Sequence, residues 1–477
     1  MTTPIGRRRL TPLRRISIAL VTSALLASGC ASAPSPASAP APAIPPPPAT
    51  ARTPSAPAPA SAAGELQKPI RQVLPNGLRL IVQDHRAADI VAVYLYVGVG
   101  VRYEKPDQLG FAHFQEHMLF KGTDKWGAGY IDRAVEGGGG RTNATTSFDY
   151  TDFYIVVPAE ALETAVQILA DMAVRSTFDP KEVDRERQVI FEEANIQADN
   201  PRTAIVRNIY GLVFADNPYG YPPLGTRETM EAATSAKLKA FNQHYYTPQN
   251  MTLVVVGPVE PAKVRALVDR IFGTLPATGY QAAPAPAPRP LRGVSRQTVE
   301  RPEQQAFLAM GWQAPRADDP NGDAVDLLTT ILAGSESSRL VRRLRDDERL
   351  VNGVSMSYSA QMGGGIASLR AELEAKDLAQ VERIVLEEIA KIQESGPTEE
   401  ERQLAVTKFE SQHAFDTETS EGLANAYGLA ETTWTLEAEL GYVDRLRKIT
   451  REQIRDAARR YLSRRDYAQV GFVPKKP

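Results

Sequence analysis

His113-Phe114-Gln115-Glu116-His117 is the stretch from which the rest of this chain can be interpreted. The flanking residues, Ala112 and 118–120, are apolar and allow a helix. In a helix, two histidines four residues apart lie on one face, one turn above the other, which is the geometry of two ligands on one metal. Glu116 then lies beside the second histidine, where it can act as general base on water without being a ligand itself. The pattern predicts a catalytic metal site.

The alternative is an ordinary surface or core histidine pair, because short H-x-x-E-H patterns also arise by chance. Against this, the chain of 477 residues contains only 5 His. Its hydrophobic content of 43% and charged content of 23% are typical of a globular protein, and its length favours two or three domains. The formal net charge of -2 gives no electrostatic argument for a nucleic-acid partner.

Residues 1–30 resemble a bacterial lipoprotein signal peptide. Arginines at 7–15 precede an apolar run at 16–26, and small residues lead into Cys30, the single cysteine. The run is too short to span a bilayer. The resemblance implies a lipid anchor on Cys30 and, because Ala31 follows it, a periplasmic protein held at the outer membrane. The alternative is an ordinary secretory signal cleaved after residues 31–33.

Two Ala/Pro-rich stretches divide the rest of the chain. Residues 31–66 are mostly Ala, Pro, Ser and Thr, which cannot bury a core and favour an extended tether. A recognition segment for a proline-binding partner is the alternative, with nothing specific to support it. The second stretch, 277–293, separates a first half at 67–276 from a second half at 294–477.

The two halves resemble each other. Four residues ahead of an apolar run in the first half have counterparts 216 positions later: Thr234/Thr450, Leu238/Ile454, Tyr245/Tyr461 and Asn250/Asp466. Such a repeat predicts a duplicated domain. The second half has no H-x-x-E-H, so one active site per chain is expected.

Local patterns predict both strands and helices. Asn76-Gly77 between two apolar runs predicts a β-hairpin, and 90–97 and 153–157 predict further strands. Asp179 followed by Pro180 predicts a helix start, with the helix running to about residue 198. The residues alone support a mixed α and β fold in two similar halves.

The helix predicted after Pro180 carries candidate acidic ligands. Two histidines leave zinc in need of a third protein ligand, commonly His or Glu, with water in the fourth position. Glu186 and Glu193 are seven residues apart and share a helix face, whereas Glu192 is expected on a solvated face. The spacing leaves Glu186 and Glu193 as candidates.

In combination, several stretches are similar to the pitrilysin-type zinc metallopeptidases, the inverzincins, and most closely to short bacterial members related to the mitochondrial processing peptidase. They are NGL at 76–78, GFAHFQEHMLFKGT at 110–123, GGGGRTNATTSFDYTDFY at 137–154, ERQVIFEE at 186–193 and residues 340–355. The resemblance covers essentially everything after the tether. It implies a duplicated α+β fold, each half an antiparallel sheet with helices packed on one face.

The resemblance also implies roles for individual residues. It implies one Zn2+ per chain, held by His113, His117 and Glu193. Glu116 would be the general base, and Glu186 matches an acidic residue behind the site that orients a ligand or the base. Asn143 and Ala144 match an edge strand that pairs with the backbone of peptide substrates.

One position departs from the family pattern. Members carry in the second half an Arg, and a Tyr seven residues later, that help hold the substrate. Arg345 matches, but Asn352 stands where the Tyr is expected, and an amide cannot replace a phenol donor. Because short members can split the zinc site and the Arg/Tyr pair between subunits, the resemblance implies a heterodimer with a homologous partner carrying that pair. A homodimer or a weakly active enzyme is the alternative.

The sequence thus predicts a zinc endopeptidase of the bacterial envelope that hydrolyses peptides or unfolded protein segments. The competing hypothesis is a non-catalytic scaffold or binding lipoprotein of the same fold, and a third is a metal-dependent hydrolase acting on other substrates. The intact set of His113, Glu116, His117 and Glu193 favours catalysis over a scaffold.

Overall fold

The computed structural model describes residues 68–475. The first half contributes one sheet, with strands β1 (Ile70–Val73), β2 (Arg79–Asp84), β3 (Ile90–Val97), β4 (Arg141–Thr146), β5 (Thr151–Pro158) and β6 (Met251–Gly257). Its helices are α1 (Phe111–Leu119), α2 (Tyr130–Gly137), α3 (Leu162–Arg175), α4 (Pro180–Asp199), α5 (Pro201–Val213), α6 (Arg227–Glu231), α7 (Ser235–Tyr245) and α8 (Pro261–Ile271).

The second half contributes a second sheet, with strands β7 (Val294–Arg301), β8 (Ala306–Ala314), β9 (Val351–Ala360), β10 (Gly365–Leu373) and β11 (Tyr467–Pro474). Its helices are α9 (Gly322–Ala333), α10 (Leu378–Ser395), α11 (Glu399–Asp416), α12 (Ser420–Thr433), α13 (Leu436–Leu440), α14 (Tyr442–Lys448) and α15 (Arg451–Tyr461). A π-helix at Val341–Asp347 precedes β9.

The two sheets have the same topology. The first has the order β1-β2-β6-β3-β5-β4 and the second β7-β11-β8-β10-β9, so the orders match strand for strand once β1 is set aside. Thr234 and Thr450 cap equivalent helices, α7 and α15, by accepting a backbone hydrogen bond, and each helix leads into a central strand. The predicted duplication and the α+β class are confirmed.

Both sheets are antiparallel except for one parallel pair each, β2 with β6 and β7 with β11. The expected antiparallel sheet therefore describes most of the pairings. The exception arises because the last strand of each half inserts beside the first strand of the repeat instead of adding to an edge. A parallel pair requires a long crossover, which the intervening helices provide.

The local predictions agree with the strands and helices that surround the predicted metal site. Strands β1 and β2 pair as a hairpin around Gly77, whose φ of +92° favours glycine. Strand β3 has the predicted bounds, and β5 extends beyond the predicted 153–157 at both ends. Asp179 caps α4 by accepting from the backbone N–H of Lys181.

Each half contributes one helix, α5 or α12, that packs on the sheet of the other half. One face of each sheet packs on helices of its own half, as expected. The opposite face of the first sheet, which includes Tyr94, packs on Leu423 and Tyr427 of α12. The opposite face of the second sheet, which includes Phe307, packs on Ile209 of α5. The prediction of helices on one face therefore describes each half alone, whereas in the whole chain both faces are covered and the two halves are interlocked.

Within residues 68–475, no helix is both long and apolar enough to cross a membrane. Cys30, the predicted signal peptide and the predicted tether at 31–66 lie outside the described residues. The residues that the sequence predicts for the metal site all lie inside them.

Candidate metal centre

Helix α1 presents the H-x-x-E-H stretch from a fully buried position, since all its residues from Phe111 to Leu119 are buried. Gly110 precedes it with φ +88°, and a Cβ there would lie 2.7 Å from the carbonyl oxygen of Leu224. The carboxylate of Glu104 accepts from the backbone N–H groups of Gly110 and Ala112, at 2.7 Å each. These groups would otherwise be unpaired at a helix N-terminus, so Glu104 fixes the start of the helix.

His113, His117 and Glu193 converge where α1 packs on α4. Glu193 Oε2 lies 3.4 Å from His113 Nε2 and 3.6 Å from His117 Nε2. One potential ligand atom from each residue lies within 4.8 Å of the others. In a tetrahedral zinc site with bonds near 2.0 Å, ligand atoms are about 3.3 Å apart. The three side chains therefore have the spacing of a metal site.

Glu186 lies behind His117, where the resemblance implies a supporting carboxylate. Its Oε2 is 3.0 Å from His117 Nδ1, and its Oε1 is 2.9 Å from Lys121 Nζ. Burial alone would raise the pKa of Glu186, but hydrogen bonds with His117 and Lys121 outweigh it and lower that pKa. When Nδ1 of His117 donates its proton to this carboxylate, Nε2 keeps its lone pair for a ligand.

The environment of His113 tests whether the site fits a metal. Its ring is 5% exposed, and neither ring nitrogen has a hydrogen-bond partner. A buried polar atom left in this way costs about 1–3 kcal/mol. Burial, reinforced by His117, lowers the pKa of His113 to about 3 against the opposing effect of Glu193, so the ring is neutral. A neutral imidazole beside a second imidazole and a carboxylate is a donor set that fits zinc.

Glu116 lies next to this group but is oriented by another element. Thr146 Oγ1, at the end of β4, donates to Glu116 Oε2 at 2.6 Å. Burial raises the pKa of Glu116 to about 7, against the opposing effects of His117 and of hydrogen bonds from both the hydroxyl and the backbone N–H of Thr146. A carboxyl group with such a pKa can accept a proton and return it near neutral pH.

Strand β4 forms the edge of the first sheet beside this site and is paired on one side, with β5. Asn143 and Ala144 lie within it, and Asn143 Oδ1 accepts from the backbone N–H of Ala144 at 2.9 Å. An edge strand can add an extended peptide through main-chain hydrogen bonds. The substrate-binding role of both residues stays a prediction.

Arg345 lies in the second half, on the π-helix before β9. Its guanidinium forms ion pairs with Glu336 and Asp346. Asn352, which replaces the expected Tyr, is exposed in β9. Arg345 thus pairs with exposed acids of its own half, and its role toward substrate stays a prediction.

Sequence reasoning missed three residues that support the site. Lys121 contacts Glu186, Thr146 contacts Glu116, and Gln197 Nε2 donates to Glu193 Oε1 at 3.0 Å. Lys121 and Gln197 each follow a predicted ligand by four residues, and this spacing is the signal that could have found them, Gln197 within α4 and Lys121 just past the end of α1. Thr146 follows Ala144 by two residues and so shares its strand face, but nothing local indicates that Glu116 faces it.

Two family models match the chain. The model described as Insulinase (Peptidase family M16) matches residues 79–227, which include the three candidate metal ligands and Glu116. The model described as Peptidase M16 inactive domain matches residues 232–409. Residues 232–409 contain no H-x-x-E-H stretch, which agrees with the description of that model as an inactive domain.

Relatives named as zinc proteases cover most of the chain. "Uncharacterized zinc protease Rv2782c" of Mycobacterium tuberculosis is 30% identical over 422 residues, 88% of this chain and 95% of that protein. "Uncharacterized zinc protease YmxG" of Bacillus subtilis is 30% identical over 331 residues, 69% of this chain and 80% of that protein.

Solved structures share the fold. A protease from Helicobacter pylori has a TM-score of 0.81 and 23% identity over 86% of this chain and 100% of its own. The periplasmic protease PqqL from Escherichia coli has a TM-score of 0.72 and 22% identity over 87% of this chain and 48% of its own. With two matching family models and relatives that align along most of their length, the chain belongs to peptidase family M16, the insulinase family.

Proposed function

We propose that this chain is a zinc-dependent endopeptidase that hydrolyses peptides or unfolded protein segments. The observation that carries the proposal is the convergence of His113, His117 and Glu193 beside the carboxylate of Glu116. The names of the relatives, which are zinc proteases, support the choice of metal. One Zn2+ per chain is proposed, because the second half has no equivalent stretch.

The roles of the residues follow from the geometry. Zinc held by the three ligands would acidify water and polarise the scissile carbonyl. Glu116 takes a proton from the attacking water on a carboxylate oxygen and passes it to the leaving amine nitrogen. Glu186 holds the ring of His117 through Nδ1. No covalent bond between enzyme and substrate is required.

The position of β4 at the edge of the sheet favours a peptide as the substrate. A segment added there would be held by main-chain hydrogen bonds, which read an extended backbone rather than a particular side chain. Folded proteins do not offer such a segment, so the proposed substrates are peptides and unfolded segments. Asn143 and Ala144 are proposed to line this contact.

The proposed location is the bacterial periplasm, with a lipid anchor on Cys30 to the outer membrane. The signal-like residues 1–30 support it, as does the fold shared with a periplasmic protease of Escherichia coli. Metabolic labelling with a fatty-acid analogue would test the anchor. The label should be incorporated by the wild type and be absent from Cys30→Ser.

The proposed assembly is a heterodimer with a homologous subunit that carries the Arg/Tyr pair. The support is Asn352 in place of Tyr and the engagement of Arg345 with acids of its own half. A purified native protein that is monomeric and fully active would contradict the heterodimer. A non-catalytic scaffold remains the competing function, and the intact metal group argues against it.

The test uses zinc-loaded protein starting at Gly64, an unstructured fluorogenic peptide mixture and Glu116→Gln as the matched control. Cleavage by the wild type and not by the control would support a self-sufficient peptidase. Stoichiometric zinc without cleavage by either would direct the search to the partner subunit. Protein that binds no zinc would overturn the ligand assignment.

A further inference from the structure

The hydrogen bond from Thr146 to Glu116 joins two elements with different tasks. Thr146 is the last residue of β4, the edge strand, whereas Glu116 lies in the middle of α1. Both side chains are buried, with 4% and 3% of each residue exposed, and the distance from Oγ1 to Oε2 is 2.6 Å. Glu116 is not one of the three candidate ligands, so the bond acts on the proposed general base and not on a group that would hold the metal.

The bond restricts how the Glu116 carboxylate can turn. The terminal torsion of a glutamate is broad and roughly two-fold, so its two oxygens would otherwise exchange places. A donor that holds Oε2 leaves Oε1 directed to the other side. For a general base, orientation matters because a misplacement of about 1 Å can cost about 10²-fold in rate.

The same strand carries the proposed contact with substrate. Thr146 and Ala144 are two residues apart, which corresponds to about 7 Å along a strand, and they lie on the same face. Both are buried toward the helices of the first half, with Ala144 in its core. Thr145 lies between them and faces the opposite side of the sheet.

We propose that Thr146 is a positioning residue that sets the orientation of the general base and ties it to the strand on which substrate docks. This inference rests on the proposed function. It gives β4 a second role besides main-chain pairing. The strand that aligns the peptide backbone also orients Glu116, the general base. Removing the hydroxyl should therefore impair the chemical step and leave peptide binding and metal binding intact.

The test compares the full-length chain with Thr146→Val, Thr146→Ser, Thr298→Val and Glu116→Gln. Valine keeps the shape of threonine and removes the hydroxyl, whereas serine keeps the hydroxyl. Thr298→Val makes the same change on an exposed residue of β7, a strand of the second half with no proposed role in the site. For each variant, zinc content, kcat and KM on a fluorogenic peptide are measured. The visible absorption of the Co2+-loaded protein, which responds to the groups around the metal, is recorded as well.

Thr146→Val is expected to bind one zinc, to lose about 10–100-fold in kcat and to keep KM within about twofold of the wild type. Thr146→Ser should recover most of the rate, and Thr298→Val should match the wild type. In the Co2+ spectra, Thr146→Val should shift the absorption in the same direction as Glu116→Gln. Agreement on these points would establish the positioning role.

An unchanged kcat in Thr146→Val, a loss that appears in KM, or an equal loss in Thr146→Ser would overturn the inference. If the wild type binds zinc but cleaves nothing by itself, cleavage requires the partner subunit of the proposed heterodimer, and the Co2+ spectra alone decide about Thr146. A spectrum that changes in Glu116→Gln but not in Thr146→Val would then reject the positioning role, and a shared change would support it.

Discussion

The two halves of the molecule have the same fold, but one pair of equivalent helices buries different kinds of side chain in each half. In the first half, α1 packs on α4 and buries His113, Glu116, His117 and Glu186 between them. In the second half, α9 packs on α11, and the buried residues include Ile331, Ala405 and Val406. The second crossing, that of α9 with α11, has no cluster of histidines and carboxylates that could hold a metal among the described residues.

The first crossing, that of α1 with α4, carries a free-energy cost when no metal is bound. Burying a polar group without a partner costs free energy, whereas the apolar side chains of the second crossing gain from leaving water. The ring nitrogens of His113 have no hydrogen-bond partner, and burial opposes the charged form of Glu116. This cost is a consequence of placing His113 and Glu116 in a buried site. Changes there should affect chemistry, and changes in the second half should affect stability.

The largest effect is expected from His113→Ala. Losing one of two imidazoles should reduce zinc from one per chain to near zero and lower kcat/KM by about 10³-fold or more. Metal analysis and peptide cleavage would measure both quantities. The metal-free wild type is the control that separates the loss of zinc from the effect of the substitution itself on the unfolding temperature. Stoichiometric zinc in the variant would contradict the ligand role.

Glu116→Gln should separate metal binding from catalysis. The amide cannot accept the proton, so kcat should fall by about 10²–10⁴-fold while zinc remains bound. Thr146 can still donate to the amide oxygen, so the local structure should persist. Wild-type rates in this variant would remove Glu116 from the mechanism.

A smaller effect is expected from Glu186→Gln, which weakens the support of His117. Partners of this kind typically contribute about 10–100-fold in metal affinity or activity. Titration with a zinc chelator would measure the affinity. Glu192→Gln is the matched control, because Glu192 is exposed on the same helix and should leave the affinity unchanged. Equal behaviour of the two variants would mean that Glu186 does not act on the site.

The smallest effect, on stability alone, is expected in the second half at Asp326 of α9. Tyr442 donates to its Oδ2 at 2.7 Å, and burial raises the pKa of Asp326 to about 7 from an ordinary 3.8. A pKa raised in the folded state stabilises the protonated form, so this contribution is complete below about pH 4 and is lost as the pH rises through 7.

Asp326→Asn should remove that pH dependence. Relative to the wild type, its free energy of unfolding should rise by about 1–3 kcal/mol between pH 4 and pH 8, with zinc content and kcat unchanged. Chemical denaturation at several pH values would measure the difference. A parallel pH profile in both proteins, or a fall in activity, would contradict the separation between the two halves.

Much of the fold was predictable because it depends on local or repeated patterns. The turn at Asn76-Gly77, the cap at Asp179 and the repeat that relates Thr234 to Thr450 are visible in the sequence and present in the structure. The insertion of β6 beside β2 was not predictable, because strand order depends on pairings between distant segments. The packing of α5 and α12 on the sheet of the opposite half was not predictable either, because an apolar helix face does not indicate which sheet it covers.

The sequence by itself determined the chemistry of the candidate site, since helical spacing places His113 and His117 on one face with Glu116 beside them. It left Glu186 and Glu193 as alternatives until a family resemblance separated them. Only the tertiary structure decided that Glu193 Oε2 lies near both imidazoles, that Glu186 lies behind His117, and that Thr146 holds Glu116. The physical reason is distance along the chain: spacing within one helix is fixed by its 3.6-residue period, whereas contacts between α1, α4 and β4 depend on how the core packs.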